Sequence, residues 1–199
     1  MVVEHGYRSN GARKPAYNTI AGAAFNATVL HYHGNREPLR AGDLVLLDSG
    51  AEYMGYACDV TRTFPVSGTF TKRQREIYGI VLEAQLAAIA ATKAGTTFAA
   101  IDKAARDVIA KAGYGDAFFH GCGHHLGLEV HDVLPEGPIP ENAVITIEPG
   151  IYLPEERFGV RIEDDVVVTR RAGGVNLTAA IPKTIPEIER AMARGFTRS

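Results

Sequence analysis

Three apolar stretches of this chain carry an acidic residue where a buried strand would hold it. Asp48 closes Leu44-Val-Leu-Leu47, and Glu148 closes Val144-Ile-Thr-Ile147. Glu163 sits between Val160-Arg-Ile162 and Asp164-Asp-Val-Val-Val168. An unpaired carboxylate is costly to bury, so a fold that buries these strands must give each acid a partner. Asp59, eleven residues beyond Asp48 on the expected return strand, is a fourth. Four acids converging in one core repel one another unless cations neutralise them. Oxygen-rich donor sets with one imidazole suit Mn²⁺ and similar divalent ions. Two ions sharing bridging carboxylates would account for the number of acids.

The imidazole has an obvious source. His120-Gly-Cys-Gly-His-His-Leu-Gly-Leu-Glu-Val-His-Asp132 holds four of the seven histidines, and histidine is both a frequent metal ligand and the usual proton carrier near neutral pH. His124, between Gly123 and an apolar Leu-Gly-Leu run, reads as positioned, whereas His120 and His125 read as packing or hydrogen-bonding residues. Taken singly, the acids also have plainer readings. Asp48 could be capped by backbone N–H groups or paired with Arg62 or Arg161, and Glu163 could lie on a solvated edge. Cys58 and Cys122 lack the close pairing of thiolate zinc sites.

The remaining composition excludes other functions. A formal net charge of −2 with 22% charged residues offers no basic face for nucleic acid or acidic lipid. No run of 18 apolar residues could span a membrane, and Met1–Arg8 lacks the apolar core of a signal peptide. With two cysteines, no disulfide framework is indicated, and a reducing cytoplasm is the expected compartment. A hydrophobic fraction of 46% over 199 residues suffices for one core or two closely packed halves.

Residues 1–42 read as short strands and loops. Asp43–Ser49 and Glu52–Phe64 read as an antiparallel pair joined by a tight turn. Thr71-Lys-Arg-Gln74 matches a capping box opening a helix that Gly95 closes, with Ile77, Val81, Leu82, Leu86 and Ile89 at helical spacing. A second helix is expected over about Thr97–Lys111. A loop with Pro135, Pro138 and Pro140 leads to two further strands, Ala143–Tyr152 and Gly159–Thr169, and Pro186 can open a C-terminal helix. Strands at both ends around two helices predict an α+β fold.

Read together, six motifs stand in one order: Leu30-His31-Tyr32, Asp48-Ser-Gly50, Asp59-Val-Thr-Arg-Thr-Phe64, His124-His-Leu-Gly-Leu-Glu-Val-His131, Ile147-Glu-Pro-Gly150 and Arg161-Ile-Glu-Asp-Asp165. This series resembles the aminopeptidase P/prolidase family of dinuclear metallopeptidases, over about residues 7–190. The resemblance implies the pita-bread (creatinase/aminopeptidase) fold, a curved antiparallel sheet covered by helices, with residues 1–199 as one catalytic domain. It implies that Asp48, Asp59, His124, Glu148 and Glu163 are metal ligands, with Asp59 and Glu163 bridging. Two divalent ions are implied, Mn²⁺ favoured and Co²⁺ or Zn²⁺ as alternatives. Glu148 would shuttle a proton, His31 and His131 would contact substrate, and Arg161 would orient Glu163 or Asp59. The implied activity is hydrolysis of the bond between an N-terminal residue and a following proline. A Xaa-Pro dipeptidase and a non-catalytic peptide- or protein-binding module are the alternatives. The family's N-terminal domain and first helices have no counterpart here, so the chain is expected to be truncated at its N-terminus. It is therefore expected to form a homo-oligomer or to associate with the missing N-terminal segment.

Overall fold

The computed structural model describes residues 2–133 and 137–196; Pro135, in the expected proline loop, lies outside the described residues. The architecture is α+β, as the element pattern predicts. The chain begins with α1 (Val2–Ser9), β1 (Lys14–Pro15), β2 (Ile20–Ala23) and a 3-10 turn at Ala24–Thr28. It continues through β3 (Leu44–Asp48), β4 (Ala51–Tyr53), β5 (Tyr56–Ala57) and β6 (Thr61–Pro65) to two helices, α2 (Lys72–Ala91) and α3 (Phe98–Lys111). After a 3-10 turn at Gly115–Ala117 come β7 (Val144–Ile147), β8 (Gly150–Leu153), β9 (Phe158–Arg161), β10 (Asp164–Val167), β11 (Val175–Asn176) and α4 (Ile185–Phe196).

All strand pairs are antiparallel. They form ladders β1–β4–β5, β2–β3–β6, β11–β10–β7 and β8–β9. The expected pairing of Asp43–Ser49 with Glu52–Phe64 holds in part. Leu44–Asp48 pairs with Thr61–Pro65, Asp48 opposite Thr61. The link is not a tight turn, however, because β4 and β5 make their own hairpin, and β4 pairs with β1 on its other side. The two long strands expected later are each broken in the middle, at residues 148–149 and 162–163. Pro149 has no N–H for a ladder. Single hydrogen bonds bridge the gaps between ladders, such as Glu163 N–H to Thr61 O (3.1 Å).

The N-terminus departs from expectation, since Val2–Ser9 is helical. Eight residues with two valines and a glycine give little helical signal of their own. The helix is tied to the rest of the chain by a tertiary bond, Tyr7 Oη to Ser49 Oγ (3.0 Å), and to the next segment by a local one, Arg8 Nη1 to Arg13 O (3.2 Å).

The capping box is real: the Thr71 hydroxyl accepts from Gln74 N–H and the Gln74 amide oxygen accepts from Thr71 N–H. The helix ends at Ala91, short of Gly95. Its buried stripe is Ile77, Tyr78, Val81, Ala84 and Ala88, which packs with Ile101, Ala105 and Ile109 of α3 and with Leu44, Ile147, Val160 and Ile162 from the strands. Leu86, expected on that stripe, is 49% exposed, and Gln85 is buried beside it. The reason is a polar partner, because Gln85 Nε2 donates to the buried Asp164 carboxylate (2.8 Å). Replacing Thr71 by Ala leaves orphan N–H groups at the start of α2. The expected cost is about 1 kcal/mol, a fall in Tm of roughly 2–4 °C for a chain of this size, measurable by calorimetry.

Candidate metal centre

Each candidate acid sits where a strand stops. Asp48 is the last residue of β3, and Asp59 lies between β5 and β6. Glu148 separates β7 from β8, and Glu163 separates β9 from β10. Asp59, Glu148 and Glu163 lie outside the ladders, free of the alternation of a pleat, and Asp48 is the last paired residue of its strand, so the four side chains can turn toward one point. His124 reaches that point from a segment with no strand of its own. It is tied to β7 by His124 N–H to Thr146 Oγ1 (3.1 Å) and Thr146 N–H to His124 O (2.9 Å). The preceding residue must be small, because a β-carbon on Gly123 would stand 2.0 Å from the Thr146 carbonyl oxygen.

The donor atoms of Asp59, His124 and Glu163 lie within 4.8 Å of one another. They come from three separate parts of the chain. His124 Nε2 is 3.5 Å from Asp59 Oδ2 and 3.6 Å from Glu148 Oε1. Its other nitrogen, Nδ1, is 3.0 Å from the His125 carbonyl oxygen, an acceptor that favours a proton on Nδ1, so that a metal displacing the proton on Nε2 would find that nitrogen turned toward the acids. Asp48 completes the group from the far side, sharing the Tyr17 hydroxyl with Asp59. These residues line one cavity of about 700 Å³, together with His31, His131, Arg161 and His120.

So many buried acids disturb one another. Burial raises the Glu163 carboxyl well above its ordinary range, and Asp59, Glu148 and Asp48 raise it further. Burial pushes Glu148 up to about 7, against the opposing pull of Arg161 and His124. Asp48 is raised by burial and by Asp59, with the Arg161 guanidinium working against both. Burial disfavours charge on His124, but its hydrogen bond to Asp59, its carbonyl contact and the Glu148 charge leave it raised overall. Such a site holds excess protons when metal-free, and a divalent cation would displace them. The donor set therefore fits divalent metal.

Arg161 takes the partner that the plainer reading of Asp48 offered, not the Glu163 or Asp59 that the resemblance implied. Its Nη2 donates to Asp48 Oδ2 (2.6 Å), Nη1 to Tyr152 Oη (3.0 Å) and Nε to Thr61 Oγ1 (3.1 Å). It thus braces Asp48, and reaches Glu163 only through the Thr61 hydroxyl, which donates to Glu163 Oε2 (2.7 Å). Arg62, the other possible partner for Asp48, instead meets Asp164 (2.7 Å). His125 is a packing residue, edge-on to Phe98 with ring centroids 5.2 Å apart. His120 does more than pack, since it lines the cavity, bonds Tyr152 Oη through Nε2 (2.8 Å) and places Nδ1 4.0 Å from Glu148 Oε2. Tyr17, Thr61 and Tyr152 have no signal in sequence, because lone hydroxyls in a loop or a strand mark nothing by spacing.

The sequence model of metallopeptidase family M24 matches residues 1–170. The chain is 41% identical to the Xaa-Pro aminopeptidase of Escherichia coli K12, over 96% of its own length and 50% of the relative's. It is 45% identical to the Xaa-Pro dipeptidase of Pyrococcus furiosus, over 88% of this chain and 51% of that protein. Among solved structures, a variant of Escherichia coli aminopeptidase P superposes with a TM-score of 0.92 at 38% identity, covering 98% of this chain and 51% of the other. Pseudomonas aeruginosa aminopeptidase PepP gives 0.92 at 37% identity, covering 98% and 52%. The fold is thus the one that the resemblance implied, and the chain spans about half the length of the relatives it matches.

Proposed function

The chain belongs to metallopeptidase family M24, and from that membership we propose that it is a two-metal peptidase cleaving between an N-terminal residue and a following proline. The observation that carries this reading is the meeting of Asp59, His124 and Glu163 within 4.8 Å, in one cavity with Asp48 and Glu148. Asp59 and Glu163 would bridge two divalent ions, His124 and Glu148 would complete one, and Asp48 would hold the other. Mn²⁺ is the favoured ion, with Co²⁺ or Zn²⁺ able to occupy the same oxygen-rich set. When bound, such ions lower the pKa of water and polarise a carbonyl oxygen.

The chain's own groups supply the rest. Glu148, raised toward neutral pH by burial, is suited to accept a proton and pass it to the leaving nitrogen. His31 and His131 stand on the cavity wall, where an imidazole N–H can donate to a substrate carbonyl oxygen as negative charge develops. Arg161 aims the Asp48 carboxylate through its hydrogen bond and pulls against the burial that raises it.

Residues 1–199 would act as one catalytic unit around a single main core. Self-association, or pairing with a further segment, is part of this proposal. Its support is an apolar hollow of about 310 Å³ between α1 and the sheet, lined by Leu47, Val60, Phe64 and Ile181. No described helix is long and apolar enough to cross a membrane, and both cysteines are free, which is compatible with a cytoplasmic site of action. Neither nucleic acid nor membrane is proposed as a partner.

The test is hydrolysis of a Xaa-Pro-Xaa tripeptide, its Xaa-Ala-Xaa counterpart and a Xaa-Pro dipeptide, beside elemental analysis of the protein. Two ions per chain and a preference for proline of about 10- to 200-fold in kcat/KM are expected. Cleavage of the dipeptide alone would favour the dipeptidase reading. Metal binding with no hydrolysis of any of the three would favour a binding module.

A further inference from the structure

Residues 126–133, beyond His124, run irregularly, and Glu129, Val130 and His131 among them form part of the cavity wall. No ladder or helix among the described residues 126–133 fixes these three. At its root the loop is tied by Leu126 N–H to Val144 O (3.0 Å), Ala57 N–H to Gly127 O (2.8 Å) and Asp132 N–H to His125 O (3.1 Å). Across its middle run one backbone bond, Gly127 N–H to Glu129 O (3.1 Å), and the contacts of one side chain. Asp132 Oδ2 accepts from Leu128 N–H (2.9 Å), and Oδ1 accepts from Val133 N–H (2.7 Å). The carboxylate reaches Leu128 only because it lies over the bare α-carbon of Gly127, where a β-carbon would stand 2.0 Å from Oδ2. Gly127 has no positive φ, so the space it leaves, rather than its backbone freedom, is what the loop uses.

We propose that Asp132 and Gly127 form a latch that sets the place of His131, with Glu129 and Val130, on the wall of the cavity. Asp132 touches no reacting atom in this scheme; it is a positioning residue acting through the loop. The inference rests on the peptidase reading, in which His131 meets the substrate. Its ring already packs edge-on to His124 with centroids 4.3 Å apart, so a shift of the loop moves His131 relative to the candidate ligands. Misplacement of a catalytic group by about 1 Å can cost roughly 10²-fold in rate.

The test uses the full chain loaded with Mn²⁺. In Asp132→Ala the latch is removed. In Gly127→Ala the new methyl evicts the carboxylate while Asp132 itself remains, an inexpensive change because only the end of a flexible side chain must move. Both variants are expected to lose about 10- to 100-fold in kcat on a Xaa-Pro tripeptide, with metal content unchanged. Asp132→Asn, which keeps one acceptor oxygen, is expected to recover part of the loss. In a His131→Ala background, adding Asp132→Ala should cost less than about 2-fold more, because residues acting through one another are not additive. A loss of kcat that persists at full size in the His131→Ala background would overturn the latch, as would wild-type turnover in Gly127→Ala. Hydrogen exchange gives a readout independent of activity: the amides of Leu128 and Val133 should exchange at least about 10-fold faster in both variants. If the wild-type chain cleaves no Xaa-Pro peptide, the peptidase reading fails, and unchanged exchange at these two amides then separately rejects the latch.

Discussion

Glu148→Gln is expected to lower turnover on a Xaa-Pro tripeptide by about 10³-fold, within the range for removing a general acid–base group. The substitution preserves the shape of the side chain and leaves the backbone bond from Glu148 N–H to Cys122 O (2.8 Å) intact, so folding is not the reason for the loss. Glu148 is only 18% exposed at its side chain and stands 3.6 Å from His124 Nε2, so no other carboxylate can take its place without moving. Because Glu148 is also a proposed ligand, kcat must be measured with metal content determined on the same sample. A variant that holds two ions and turns over slowly assigns proton transfer to Glu148. One that regains wild-type turnover at high Mn²⁺ assigns ligation alone, and a loss smaller than about 10-fold at full occupancy would remove Glu148 from the chemistry.

The acids of the site were legible because their positions break a rule. Asp48, Glu148 and Glu163 each interrupt an apolar run, and the structure explains the interruption: every one lies at the end of a strand or between two strands. Sequence read these breaks as residues within continuous strands, since an acid at a break and an acid in a strand look alike by period. Partners were less legible than positions. The Arg161–Asp48 pair spans 113 residues, and nothing local to Arg161 distinguishes Asp48 from Glu163 or Asp59. His120 was read as a packing or hydrogen-bonding residue, and it does bond Tyr152; its place on the cavity wall was not legible, because one imidazole beside glycine looks the same whether it faces core or cavity. On α2 the apolar spacing named Leu86, whereas Gln85 is the inward residue, held by Asp164; a polar network beneath the sheet overrides periodicity there. Tyr17 joins two acids through one hydroxyl, a contact that exists only once the loop is folded.

The stability of the metal-free chain should fall as pH rises from about 6.5 to 8, and divalent metal should reverse the fall. Glu148 and Asp165 are both pushed up to about 7, chiefly by burial, and Glu163 and Asp48 are raised as well. An acid whose folded pKa lies above its unfolded value contributes stability that is complete below the unfolded pKa and is lost as pH rises through the folded one. His124, also raised, has the same sign. His120 runs the other way: burial lowers it to about 4, so its contribution is present above pH 6.5 and lost only in more acid solution. His125 and His131, lowered by burial, have that same opposing sign. Above pH 6.5 the opposing terms are therefore complete, and the raised groups control the slope. Metal binds the ionised donors and releases their protons, so its affinity grows over the same interval. An ion held at 100 times its Kd adds about 2.7 kcal/mol, and two such ions would raise Tm by roughly 10–20 °C for a chain of this size. Thermal melts in EDTA and in Mn²⁺ at pH 6.5, 7.2 and 8.0 check this. The gap between the two curves should widen with pH, and a gap that is constant or narrows would mean that these carboxylates do not hold the metal.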